Sequence, residues 1–88
     1  MKPVEILKQL IEFPTYQTTL DKVEEGMKDC ARFLSDELEG LGFRVKVDDL
    51  CNVTGERRFG GGNVFLMNTH FDTVAPSGDW VDALVPKL

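Results

Sequence analysis

The residues of this chain that could do chemistry lie together in the segment 64–76. An apolar run ends in His70, Asp72 follows two residues later, and Pro76 then interrupts the backbone. A histidine at the end of a buried strand can bind zinc through one ring nitrogen, at about 2.0–2.1 Å. The other nitrogen needs an acceptor that fixes its tautomer, and Asp72 is near enough in sequence to provide one. The pattern predicts His70 as a metal ligand and Asp72 as the carboxylate that orients it.

A second interpretation of the same pair is a polar strand end, at which His70 only caps the sheet. His70 is the only histidine among the 88 residues, whereas catalytic zinc sites use about three protein ligands. The spacing alone therefore leaves both interpretations open.

Two helices are expected to precede and support this segment. The first is predicted over Pro3–Glu12, because proline suits the first helical position and apolar residues recur at helical spacing. Pro14 is expected to stop this helix. Residues 13–20 are then predicted to form a loop, in which Thr15 is the first of three threonines.

The second helix is predicted over residues 21–41. Asp21 and Glu24 have the form of a capping box, and Gly42 suits the left-handed residue that ends a helix. Gly26 inside the helix costs up to ~1 kcal/mol relative to alanine, which close packing against a neighbour would explain. The apolar stripe of this helix consists of Val23, Met27, Cys30, Ala31, Leu34, Leu38 and Leu41.

Three strands are expected after the helices. Residues 43–48 alternate between apolar and charged side chains, which is typical of a strand with one face in water. Residues 50–54 are predicted as a second strand, antiparallel to the first, and residues 55–62 as a glycine-rich turn. Residues 64–68 are apolar nearly throughout, as in strands covered on both faces. The predicted fold class is α/β, with two helices packed on a small mixed sheet of about three strands.

Length and composition limit the classes of function. Eighty-eight residues form one domain at most, and a formal net charge of −5 argues against nucleic-acid binding. Neither a signal peptide nor an apolar stretch of the ~20 residues that span a membrane is present, so a cytoplasmic protein without membrane contact is expected. Cys30 and Cys51 lack metal-type spacing and are expected to be reduced thiols that serve as small apolar residues.

Several stretches of the sequence resemble the M20 family of zinc amidohydrolases, which includes acetylornithine deacetylase, succinyl-diaminopimelate desuccinylase and acetyl-lysine deacetylase. The motif NTHFDTVAP at residues 68–76, followed by GDW at residues 78–80, is similar to the first metal motif of that family. Residues 4–15, residues 24–43 and the pair Asn52 and Val53 resemble the opening helix, the next helix and the hairpin strand. The similarity covers essentially all 88 residues in family order.

The resemblance implies that residues 1–88 are the N-terminal part of an M20-like catalytic domain that uses zinc or cobalt. His70 corresponds to a zinc ligand, and Asp72 corresponds to the catalytic carboxylate that supports this ligand. The implied reaction is hydrolysis of an amide bond in an N-acyl amino acid or a peptide. Ala75 and Ser77 depart from a segment that is often richer in proline, without affecting the metal motif.

The family also uses a bridging aspartate, a glutamate pair that includes the general base, and a second histidine, none of which has a counterpart here. This chain alone is therefore expected to be inactive and to hold no metal stably. A stand-alone interaction or structural module derived from the same fold is the alternative. A zinc site completed between the chains of an oligomer is a third hypothesis. Exposed sheet edges and the apolar tail after Trp80 favour self-association.

Overall fold

The computed structural model describes residues 1–16 and 24–87, and within them the chain forms two helices followed by a two-stranded sheet. The helices are α1 (Pro3–Glu12) and α2 (Glu25–Gly40), and the strands are β1 (Arg44–Val47) and β2 (Val53–Glu56). These elements confirm a small α/β class. The molecule measures 52 × 34 × 19 Å, and its shortest dimension accommodates one layer of helix on one layer of sheet.

α1 has the bounds that the sequence predicts. Pro3 is its first residue, and the carboxylate of Glu5 accepts a hydrogen bond of 3.2 Å from the backbone N–H of Lys2. This bond satisfies one of the backbone donors near the helix start. The residue after the helix, Phe13, is extended, and its ring centroid lies 5.6 Å from that of Phe33. The end of α1 is thereby packed against the middle of α2.

α2 begins later than the sequence suggests. Asp21, the first residue of the expected capping box, lies outside the described residues. Glu24 is the N-cap rather than the third helical residue, because its carbonyl accepts the first helical bonds, from the N–H groups of Met27 and Lys28. The predicted capping box, which makes Glu24 the third residue of the helix, is therefore wrong about the position of Glu24. Neither helix of the described residues is long and apolar enough to cross a bilayer.

The end of α2 confirms the left-handed stop predicted at Gly42. Gly42 has a φ of 90° and donates its N–H to the carbonyl of Glu39, while Phe43 donates to the carbonyl of Leu38. These two bonds define a Schellman motif, in which the last helical carbonyls find partners as the chain turns away. The turn directs the chain from α2 straight into β1.

Gly26 lies in close contact with the loop after α1. A Cβ atom at residue 26 would overlap the carbonyl oxygen of Pro14 and would lie 2.6 Å from its Cγ. No side chain fits in that space, which explains a glycine in the first turn of α2. This contact brings the loop containing Thr15 against the start of the second helix.

The core is small and is built on one face of α2. Its buried apolar residues are Met27, Cys30, Ala31 and Cys51. Val53 from β2 and Phe71 pack against the core cluster of Met27, Ala31 and Cys51. Burial of the predicted stripe falls off along the helix, since Leu34 and Leu38 are half-buried and Leu41 is 58% exposed. Val23, the first residue of the stripe, lies outside the described residues, and within them burial is complete only at Met27, Cys30 and Ala31.

β1 and β2 form the predicted antiparallel hairpin, in a register that pairs Arg44 with Glu56 and Val47 with Val53. The second strand starts at Val53 rather than at residue 50, and it includes Gly55 and Glu56, which were expected in the turn. The shift arises because residues 48–52 form the connecting loop. Gly55 suits its place in the strand, since a Cβ there would lie 3.3 Å from the ring of Phe43.

The carboxylate of Asp48 organises the connecting loop. Oδ1 accepts hydrogen bonds from the backbone N–H of Leu50 at 3.0 Å and of Asn52 at 2.8 Å, and Oδ2 accepts one from Nδ2 of Asn52 at 2.9 Å. Within this loop Cys51 adopts a φ of 64°, which is uncommon for a residue with a side chain. Its thiol is thereby turned into the core, where Cys51 is 7% exposed.

The third predicted strand is not formed. Residues 64–68 belong to no strand, and the side chains of Val64, Phe65, Leu66 and Met67 are between 83% and 93% exposed. The sheet of the described residues is two-stranded and antiparallel rather than mixed. A strand needs a neighbour to bond its backbone groups, and within the described residues no such neighbour lies along this run. The expectation of burial on both faces was therefore wrong for this structure.

Candidate metal-ligating site

The structure brings His70 and Asp72 into direct contact. The Nδ1 atom of His70 lies 3.1 Å from Oδ1 of Asp72 and 3.2 Å from the backbone oxygen of the same residue. Both neighbours of Nδ1 are acceptors, so the neutral ring is expected to carry its proton on Nδ1. Nε2 then keeps its lone pair, which is the form of imidazole that binds a metal.

Both side chains of the pair face solvent. The side chain of His70 is 83% exposed and that of Asp72 is 66% exposed. Ion pairs at this exposure contribute little to folding stability, because water and salt screen them. The contact therefore matters for the orientation and tautomer of the ring rather than for the stability of the fold.

The residues on either side of Asp72 anchor the pair to the domain. Phe71 packs against the core cluster, and the N–H of Thr73 donates a hydrogen bond of 2.8 Å to the carbonyl of Thr15. His70 and Asp72 alternate with these two anchors and project to the outside. The segment is thus attached to the domain, although it belongs to neither of the two strands.

Thr15 is the residue of this region that sequence reasoning missed. It is 3% exposed, and its hydroxyl lies 3.2 Å from that of Thr73. A single parallel bridge between Tyr16 and Thr73 completes the contact. The two threonines are 58 positions apart in sequence, so no local pattern could have paired them.

Among the described residues His70 could bind a metal through one ring nitrogen, but no complete set of metal ligands is present. Within residues 1–16 and 24–87, no group of three or more histidine, cysteine, aspartate or glutamate side chains is arranged around a common point. The donor chemistry of His70 suits zinc, and Asp72 suits the acceptor that a zinc-binding histidine needs. The pair fits one ligand and its support, and any further ligands would have to come from elsewhere.

The two cysteines do not extend the site. Cys30 and Cys51 are free and buried. Burial raises the pKa of the Cys30 thiol from 9.0 to about 11, and burial is also the main reason that the pKa of Cys51 is raised. Both are therefore neutral near pH 7, whereas a metal binds the thiolate. Their role is to fill the core.

A cavity of about 320 Å³ lies on another part of the surface, and neither His70 nor Asp72 lines it. Arg57 donates a hydrogen bond of 2.6 Å to the carbonyl of Leu41 and lies 4.8 Å from the ring centre of Phe59. Arg58 pairs with Glu56 at 3.2 Å. Two of the three arginines that line the cavity are thus engaged within the chain, and Arg57 supports the end of α2. The residues lining the cavity are Gly42, Phe43, Arg44, Glu56, Arg57 and Arg58.

Comparison with known proteins gives no match: no family model matches the chain, and it matches neither a curated protein nor a solved structure. The function therefore has to be inferred from the residues and their geometry.

Proposed function

We propose that this chain contributes a metal ligand and its orienting carboxylate to a zinc-dependent amide hydrolase of the M20 type. The distance of 3.1 Å between Nδ1 of His70 and Oδ1 of Asp72, in a ring that is 83% exposed, supports the proposal most directly. An imidazole held through Nδ1 offers Nε2 to a cation from solvent. The proposed substrates are N-acyl amino acids or peptides.

In this proposal His70 holds the metal through Nε2, and Asp72 fixes the ring so that Nε2 keeps its lone pair. When zinc is bound in such a site, it lowers the pKa of a bound water to about 7 and polarises the carbonyl of the amide. The remaining ligands and the general base would be supplied by other polypeptide sequence or by a second copy of the chain. We further propose that residues 64–68 become a strand of a zinc-peptidase-like sheet when a neighbouring strand covers them.

Metal binding by the chain tests the role of the pair. Titration of Zn²⁺ into the ¹⁵N-labelled protein should shift the Nε2 signal of His70 more than the Nδ1 signal. His70→Ala should abolish the shift, and Asp72→Asn should weaken binding by about tenfold, because a lost supporting carboxylate typically costs about 10- to 100-fold. Asp36→Asn, at an exposed carboxylate of α2, is the matched control and should bind as the unchanged chain does. Zn²⁺ binding that persists in His70→Ala would contradict the assignment.

Hydrolysis of N-acetyl amino acids with added zinc or cobalt tests the reaction class. The assay is run on this chain and on any longer product of the same coding frame. Activity in a longer product that disappears with His70→Ala would support the hydrolase. Equal activity with and without His70→Ala would contradict the hydrolase. A coding frame that ends at residue 88, together with no hydrolysis of these amides by its product, would also contradict it.

A second candidate is an interaction module that pairs with another copy of itself. The specific observation is the run Val64, Phe65, Leu66 and Met67, which is exposed at 83% or more in each residue. The same chain carries, within its described residues, an exposed apolar segment that belongs to no strand and a two-stranded sheet whose outer edges are open. The apolar segment of each copy would add as a strand to an open sheet edge of the other copy.

Solution mass tests this second candidate. Light scattering should give a dimer mass for the unchanged chain and a monomer mass for Phe65→Lys, because a charge within the run opposes burial. Val81→Lys is the control, since Val81 is 99% exposed but belongs to the tail beyond Trp80. A dimer that survives Phe65→Lys and dissociates with Val81→Lys would move the interface to the tail. A monomer at all concentrations would exclude both interfaces.

A further inference from the structure

We infer that Thr15 is a positioning residue for His70, acting through the peptide group between Asp72 and Thr73. This inference rests on the proposed function, because it assigns Thr15 a role at the same pair. Thr15 does not touch the ring. Its influence would pass through one peptide group that has a hydrogen bond on each side.

The geometry of that peptide group carries the inference. Its N–H, on Thr73, donates to the carbonyl of Thr15 at 2.8 Å, and its C=O, on Asp72, lies 3.2 Å from Nδ1 of His70. A trans peptide is planar, and its N–H and C=O point in opposite directions. When Thr15 fixes the N–H edge, it therefore also fixes the direction of the carbonyl that faces the imidazole.

The hydroxyl groups provide a second attachment at the same point. Oγ1 of Thr15 lies 3.2 Å from Oγ1 of Thr73, and Thr15 itself is 3% exposed. With two bonds to one buried residue, Thr73 has little freedom to rotate its peptide away from the ring. Phe71, packed on the core cluster, restrains the other side of Asp72.

The hydrogen bonds also act in series. An N–H that donates to the carbonyl of Thr15 polarises its own peptide and makes the carbonyl of Asp72 a stronger acceptor. A stronger acceptor at Nδ1 favours the tautomer with the proton on that atom. Thr15 would thereby help to keep the lone pair of Nε2 free for a metal.

The tautomer of His70 in metal-free protein is the direct test. Ring ¹⁵N shifts of the neutral imidazole report which nitrogen carries the proton. The unchanged chain should show mainly the Nδ1–H form. Thr15→Val keeps the shape and the backbone carbonyl that accepts the Thr73 N–H, but it removes the contact between the two hydroxyl groups. With one attachment instead of two, the Thr73 peptide should rotate more freely, so the population should move towards Nε2–H and the Thr73 amide should exchange about fivefold faster, the effect of one lost hydrogen bond.

Three further variants separate positioning from folding. Thr15→Ser keeps the hydroxyl and should restore the original tautomer, and Thr73→Ala should reproduce the effect of Thr15→Val from the exposed side of the contact. Thr54→Val, an exposed threonine of β2, should leave both measurements unchanged. If Thr15→Val does not fold, the comparison of Thr73→Ala with Thr54→Val gives the answer.

The outcomes distinguish this inference from the proposed function. A tautomer that stays on Nδ1 in both Thr15→Val and Thr73→Ala would overturn positioning by the Thr15 side chain, whatever the affinity for zinc. A tautomer that shifts as expected would support positioning even if Zn²⁺ does not bind at His70, in which case the proposed function alone would fail. An unchanged chain with its proton on Nε2 would overturn the inference at once.

Discussion

The backbone of Gly26 lies directly against Pro14, so closely that a Cβ atom at residue 26 would overlap the carbonyl oxygen of the proline. This contact fixes the angle at which the loop after α1 meets α2. It also places Thr15, the next residue of the loop, where the segment containing His70 can bond to it. A close approach of two backbone segments is thus the first step in building the candidate site.

Gly26→Ala should destabilise the protein by about 1–3 kcal/mol, the usual range for overpacking, because the nearest atom is a backbone oxygen that cannot turn aside. Urea unfolding measures the loss. Gly40→Ala is the matched control within the same helix, since a Cβ at residue 40 meets nothing within 4 Å. That control should be neutral or stabilising by up to ~1 kcal/mol. Equal stability of the two variants would refute the contact between Gly26 and Pro14.

Gly42→Ala should destabilise the end of α2 by about 1–2 kcal/mol, because φ at this residue is 90° and an added Cβ clashes with its own backbone there. Gly42→Asn should cost less, since asparagine tolerates left-handed conformations better than alanine does. Urea unfolding of both variants ranks their free energies of unfolding. If Gly42→Ala were more stable than Gly42→Asn, the left-handed turn would not be maintained in solution.

The Cys30 thiol should make the protein less stable in alkaline solution. Its pKa is about 11 in the folded chain and 9.0 as an ordinary thiol, so the unfolded chain loses the proton first. The stability due to neutral Cys30 is complete below pH 9.0 and declines as the pH rises towards about 11. Urea unfolding at about pH 8 and about pH 10.5 measures the decline, which should be smaller in Cys30→Ala. Identical declines in the two proteins would contradict the burial of this thiol.

The Asp48 carboxylate should make the hairpin loop sensitive to acid. Its pKa is lowered below 3.8, mainly by the hydrogen bond from the side chain of Asn52 and then by the backbone N–H groups of Asn52 and Leu50. The stabilisation is therefore present above pH 3.8 and is lost as the pH falls through the lower pKa of the folded chain.

Hydrogen exchange of the Asn52 amide measures this effect. Asp48→Asn should raise the exchange rate near neutral pH and remove the additional acid sensitivity. Asp49→Asn alters the neighbouring carboxylate, which accepts none of the three loop bonds, and it should behave as the unchanged chain does. If both variants exchange alike, Asp48 does not organise the loop.

Local sequence signals predicted the elements that depend on local chemistry. Pro3 and the stop at Pro14 gave the bounds of α1, and Gly42 gave the end of α2, because each residue restricts its own backbone. The start of α2 was misplaced, since an acidic pair resembling a capping box does not show which carbonyl opens the helix. The hairpin was expected but shifted, because the hydrogen bonds of Asp48 lengthen the loop at the expense of the second strand.

Features that depend on contacts between residues far apart in the sequence could not be predicted. Residues 64–68 have the composition of a covered strand, but composition does not supply the neighbour that a strand must bond to. The contact between Thr15 and Thr73 likewise joins residues that have no local relation. The spacing of His70 and Asp72 did suggest their proximity, which the structure shows, while the metal-binding role remains a prediction.

The 19 Å thickness of the molecule has a thermal consequence. Many large apolar residues of the described part of the chain are exposed in so thin a body, so unfolding adds less new hydration than it does in a thicker domain. The heat-capacity change on unfolding should then fall below the usual ~12–15 cal/mol/K per residue. The free energy of unfolding would then curve little with temperature, so cooling and gentle warming would alter the balance between folded and unfolded chains only slightly. A calorimeter would record a low, broad transition rather than a sharp peak.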